Sequence, residues 1–143
     1  MDDLNFSDYT HIFFDFDGTL CESEQDIAFA WRKVIDSVGV TVPEFDRIFR
    51  VGPSLTDLTE ELFPDLPRSK KEEIVRCFKK TYDDSEFPYT KPYPWITSWL
   101  EKLQTVGHKL FVLTNKRQKP TDFLVDKFGW RNLFSGVFEK PLI

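Results

Sequence analysis

The chain has 143 residues, a formal net charge of −5, and 41% hydrophobic and 16% aromatic residues. That length suits one ordinary domain or a core with a small insertion, and the apolar content excludes a disordered chain. The acidic balance argues against a duplex nucleic-acid binder, which carries a basic patch, but leaves room for an anionic substrate whose charge is met locally inside a pocket.

Met1 to Thr10 reads as a short polar lead-in without the basic n-region of a signal peptide, and no apolar run approaches membrane-spanning length. The two cysteines, Cys21 and Cys77, are too few for a disulfide framework and read as reduced thiols in a cytoplasmic protein. Ile12 to Phe14 follow as a strand. Their unbroken apolar run predicts burial on both faces, as in the middle of a parallel sheet. Asp15 and Asp17 come next, where the chain must leave the sheet, because an ionised carboxylate is costly to bury without a partner. Gly18 permits the turn. Two acids at the C-terminal end of a strand suit a hard cation such as Mg²⁺. They can also divide labour, one attacking as a nucleophile and the other moving a proton. Alternatively, both cap a turn. The whole string, an apolar strand followed by Asp-Phe-Asp-Gly-Thr-Leu, is far more specific than the acids alone and favours the catalytic reading.

Ser23 to Val38 has Ile27, Trp31, Val34, Ile35 and Val38 on one helical face, with Ser23 as N-cap and Gly39 as stop. Glu44 to Arg50 reads as a short helical turn. Ser54 caps a helix with Leu55, Leu58 and Leu62 on one face. Ser69 and Glu72 form a capping box before Ile74, Val75, Phe78 and Tyr82. Pro88, Pro92 and Pro94 mark a semi-rigid linker, and Pro94 suits the first turn of a helix carrying Ile96, Trp99, Leu100 and Leu103. Lys109 to Leu113 is a second buried strand ending at Thr114, Asn115, Lys116 and Arg117. Pro120 opens a helix bearing Leu124, Val125 and Phe128, and Val137-Phe138 marks a third strand. The order is β, a helical insert, then αβαβ, which predicts an α/β fold with a Rossmann-like parallel sheet. Ligands of such sheets bind beyond the carboxyl ends of the strands, where Asp15, Asp17 and Thr114 all fall.

The stretch His11 to Leu20 resembles the first motif of the haloacid dehalogenase-like (HAD) phosphohydrolase superfamily, and Leu110 to Asn115 resembles the second. The resemblance implies Asp15 as a nucleophile forming an aspartyl-phosphate and Asp17 as general acid/base. It also implies Mg²⁺ on Asp15 and Asp17, the latter through its backbone carbonyl. Thr114 and Asn115 would donate to the phosphoryl group, as phosphoryl transfer requires. The dehalogenase branch normally lacks the second aspartate and the Gly-Thr pair, so phosphate-ester chemistry is the better match. Lys116 and Arg117 either supply positive charge to a phosphate or form a solvated loop, with Lys116 the better placed of the two. The insert resembles the helical cap of the phosphoglycolate phosphatase-like branch. That resemblance divides the chain into a core of residues 1–20 and 91–143 and a cap of residues 21–90. Arg50 falls where that branch has a substrate loop, although it equally suits a helix end.

The family's third-motif lysine and its later acidic strand end have no assigned counterpart, and Lys140-Pro141 arrives too early for the lysine. The expectation is a partial HAD core, C-terminally incomplete, with the first strand left as an exposed edge. The implied substrate is a small phosphorylated metabolite, phosphoglycolate or a nucleotide, with neither nucleic acid nor membrane as partner. The rival expectations are a phosphomutase and a non-catalytic interaction module that associates with itself or a partner chain through that edge.

Overall fold

The computed structural model describes residues 8–141, so most of the expected lead-in and the last two residues lie outside it. The elements run β1 (His11–Phe14), β2 (Cys21–Glu22), α1 (Glu24–Val38), α2 (Phe45–Ile48), α3 (Leu55–Leu62), α4 (Arg68–Asp84), β3 (Lys91–Pro92), α5 (Ile96–Thr105), β4 (Lys109–Thr114), α6 (Gln118–Lys127) and β5 (Gly136–Glu139). They fall into two units, Met1–Leu20 with Pro92–Ile143, and Cys21–Lys91. Among the described residues no helix is long and apolar enough to cross a membrane.

The first unit is an α/β layer built on a three-stranded sheet in the order β1-β4-β5. Both pairings are parallel, with Phe13 opposite Phe111, Phe14 opposite Val112 and Thr114 opposite Glu139. Right-handed crossovers that step in one direction deliver their helices to one side of the sheet. Burial shows which side: Phe14, Leu110, Val112 and Thr114 alternate inward and are buried, as are Leu100, Leu103, Leu124, Val125 and Trp130 of the helical layer. Phe14 meets Trp99 and Phe134 edge-on, and the Trp130 indole N–H donates to Thr97 Oγ1 at 2.9 Å.

The other side of the sheet departs from expectation. The apolar run of the first strand predicts two buried faces, but Phe13 is 57% exposed and Phe138 49%. With both crossover helices on one side, the residues of opposite parity stay uncovered. They stack on each other instead. Phe111 lies 4.8 Å from Phe13 and 5.7 Å from His11, with Phe138 at 6.4 Å, and all the rings are within 19° of parallel. β1 is an edge strand of this sheet, as expected.

The second unit is helical. Its core gathers Trp31 and Val34 of α1, Leu58 and Leu62 of α3, and Ile74, Phe78 and Tyr82 of α4, all buried. Trp31 is 4.5 Å from Phe78 and 6.3 Å from Phe63, ring centre to ring centre. Gly39 ends α1 at φ 71°, and Ser54 Oγ accepts the Asp57 N–H at 3.1 Å, so those two caps match the sequence signals. Three local expectations fail. Ser23 occupies the N-cap position of α1 but makes no side-chain cap bond. α4 begins at Arg68 behind Pro67, which places Ser69 inside the first turn rather than at the cap. α5 begins at Ile96, after the turn that holds Pro94. A proline at the N-cap already has its φ fixed, which lets the helix start without the serine.

Candidate active site

β1 stops at Phe14, and the alternation of the strand continues for one more buried residue. Phe16 is fully buried, packs against Trp130, and its carbonyl accepts the N–H groups of Thr19 and Leu20. This anchor places Asp15 and Asp17 on the side away from the core. Gly18 takes φ 76°, the left-handed conformation that favours glycine, and its carbonyl accepts the Tyr93 hydroxyl at 3.4 Å. Thr114 lies two residues past Val112, the partner of Phe14. The two strands therefore leave the sheet level with each other, and both motifs end at the same carboxyl edge.

Asp15 is exposed, and its Oδ1 accepts the N–H of Phe16 at 2.8 Å. Asp17 is nearly buried. Its Oδ2 lies 3.2 Å from Lys116 Nζ, with the two side chains 12% and 5% exposed respectively. Asp17 Oδ1 is buried without a hydrogen-bond partner. Thr114 is buried, and its Oγ1 accepts the Lys116 N–H at 3.1 Å. Asn115 is exposed. Lys116 thus ties the two strand ends together, and a solvated-loop reading does not hold for it. Arg117 takes the N-cap position of α6.

Arg50 lies in the second unit, where Glu61 grips its guanidinium at 2.6 and 3.1 Å. This pairing holds the Glu61 carboxyl below its usual range. Lys140 follows β5, and its N–H donates to the Thr114 carbonyl at 2.7 Å.

Two supports escaped the sequence reading. The Gln118 N–H donates to Glu139 Oε1 at 2.9 Å, and the Glu139 N–H returns a bond to Gln118 Oε1 at 2.9 Å. That reciprocal pair fastens the start of α6 to the end of β5 and so holds the loop that carries Thr114 and Lys116. The Tyr93 hydroxyl on the Gly18 carbonyl is the other. Neither follows a spacing rule, since each joins residues distant in sequence.

Among the described residues no three His, Cys, Asp or Glu side chains gather as a metal cluster. The donors on hand are the exposed Asp15 carboxylate and the Asp17 backbone carbonyl two residues on. This all-oxygen set fits Mg²⁺, which keeps several waters and takes one or two carboxylates together with phosphate oxygens. It does not suit zinc, whose sites use several nitrogen or sulfur ligands.

A parallel α/β sheet with paired acids beyond its first strand and a buried hydroxyl beyond the neighbouring one defines a class of strand-end acidic sites. The model of the haloacid dehalogenase-like hydrolase family matches residues 12–140, and the chain belongs to that family. A phosphoglycolate phosphatase of Aquifex aeolicus is 37% identical over 129 residues, covering 90% of this chain and 57% of that protein. The tyrosine-protein kinase PtkA of Mycobacterium tuberculosis is 29% identical over 127 residues, covering 88% of this chain and 43% of that protein. The crystal structure of a predicted phosphoglycolate phosphatase from Haemophilus somnus has the same fold, with a TM-score of 0.82 at 24% identity, over 94% of this chain and 64% of that one. The chain spans little more than half the length of the phosphoglycolate phosphatase it matches.

Proposed function

We propose that the chain carries the nucleophile-bearing part of a Mg²⁺-dependent phosphatase acting on a small phosphorylated metabolite, phosphoglycolate-like or nucleotide-like. The observation that supports this best is the pairing at one strand end of an exposed Asp15 with an Asp17 whose Oδ1 is buried and unpartnered. Residues 1–20 and 91–143 are read as the core, and residues 21–90 as the helical cap that selects the leaving group.

In this reading an Asp15 carboxylate oxygen attacks phosphorus and the ester P–O bond breaks. Asp17 gives its proton to the departing alkoxide, which leaves as an alcohol. Asp17 then takes a proton from water, which attacks the aspartyl-phosphate, releasing inorganic phosphate and restoring the Asp15 carboxylate. Thr114 donates to a phosphoryl oxygen, and the Asn115 N–H does the same. Bound Mg²⁺ would screen the negative charge between Asp15 and the phosphate. Arg50 is the cap's substrate contact in this reading; its pair with Glu61 is exposed and weak enough to exchange for a substrate anion.

The test is phosphate release from phosphoglycolate, a nucleoside monophosphate and an aryl phosphate in the presence of Mg²⁺, with Asp15→Asn alongside. Turnover by the parent chain and none by the variant is the expected result. Full activity in Asp15→Asn would remove the nucleophile. A second reading is favoured by the exposed rings of Phe13 and Phe138 beside an edge strand, namely a non-catalytic module that pairs with another chain. A folded, self-associated chain without turnover supports it.

A further inference from the structure

The site contains one charged side chain that the reaction above does not use. Lys116 is 5% exposed, and an ammonium that far from water is costly unless paired. It pairs with one oxygen of Asp17, at 3.2 Å. The same residue's N–H occupies Thr114 Oγ1 at 3.1 Å. One residue therefore touches both the proton-transfer carboxylate and the phosphoryl donor.

A carboxylate rotates broadly about its last torsion, so either oxygen of Asp17 would otherwise present itself to the leaving group. An ammonium on Oδ2 selects one orientation. The oxygen left over is Oδ1, the buried one with no partner. That oxygen is closed to water and to substrate, so the ammonium on Oδ2 is the contact that fixes where the carboxylate sits. On the Thr114 side, accepting the Lys116 N–H turns a lone pair of Oγ1 toward the loop and directs the hydroxyl proton outward.

We propose that Lys116 is a positioning residue. It pins the Asp17 carboxylate through Oδ2 in the position from which Asp17 gives and takes the proton, and it sets the direction of the Thr114 hydroxyl. This rests on the phosphatase reading. The competing role is direct binding of the substrate phosphate by the ammonium, which would require it to leave Asp17.

Leaving-group dependence separates the two. An alkyl phosphate must be protonated as it leaves, whereas 2,4-dinitrophenyl phosphate departs without a proton. kcat/KM reports steps up to formation of the aspartyl-phosphate. Lys116→Met should therefore lose about tenfold or more in kcat/KM on the alkyl ester beyond its loss on the dinitrophenyl ester. Asp17→Asn should show the same inequality, and Lys116→Arg should recover part of the alkyl activity. Equal losses on both esters, with KM raised, would overturn the positioning role while leaving the phosphatase reading intact, provided Asp15→Asn is dead on both. Activity in Asp15→Asn, or no turnover of either ester by the parent chain, overturns the reading and the role together. If Lys116→Met does not fold by circular dichroism, Lys116→Gln keeps a donor without the charge and carries the same comparison.

Discussion

Thr114 shows how much a single oxygen does at this site. It is buried at the end of β4, and its Oγ1 receives the Lys116 N–H while its carbonyl receives the Lys140 N–H. Thr114→Val keeps the shape and removes the hydroxyl. In the phosphatase reading kcat should fall about 10²-fold, the usual cost of losing one donor to transition-state charge, and Thr114→Ser should keep most of it. Steady-state phosphate release checks both, and an unchanged kcat in Thr114→Val would take Thr114 out of the site. That Asp15 and Thr114 stand at strand ends was legible in the sequence because each directly follows an apolar run, and Asp17 comes two residues after the first. The contact between Lys116 and Asp17 was not. A lysine in a polar loop looks the same in sequence whether it faces water or a carboxylate on a distant segment.

At the scale of elements, the second unit depends on a group that no periodicity flags. Asp26, in the first turn of α1, is 4% exposed. Its Oδ2 accepts the Tyr89 N–H at 2.9 Å and the Thr90 hydroxyl at 2.7 Å. Just before them, Glu86 and Phe87 both adopt positive φ, 57° and 56°, which non-glycine residues rarely do. The carboxylate thus fixes the chain immediately after its most strained stretch. Asp26→Ala leaves a buried hydroxyl and an amide without their acceptor and should destabilise the chain by about 1–3 kcal/mol, measured as a lower urea midpoint. An unshifted midpoint would show the two donors satisfied elsewhere. The helices themselves were readable from 3.6-residue spacing, and β5 from Val137-Phe138. The buried first-turn acid was not, because an aspartate near a helix start ordinarily serves the dipole in water. The two-sided burial expected of β1 failed for a related reason. An apolar run gives no account of which crossover helices exist to cover it.

For the molecule as a whole, the stacked rings of His11, Phe13, Phe111 and Phe138 form an apolar face that includes β1, an edge strand among the described residues. Such surfaces drive association. Phe13→Thr with Phe138→Thr keeps β-forming side chains while removing two exposed phenyl rings of that face. Light scattering should show concentration-dependent association of the parent chain and less in the double variant. Equal masses at every concentration would mean the face is inert.

β2 and β3 are hydrogen-bonded neighbours, and the second unit begins with β2 and ends on the first residue of β3. Its two ends are therefore about one strand spacing apart, roughly 4.8 Å. The helical unit is in effect an excursion of the chain that departs and returns at one place. Recombination could shorten, lengthen or exchange it without altering the register of β1, β4 and β5. A lineage built this way can change its helical unit while its acidic strand ends stay where they are.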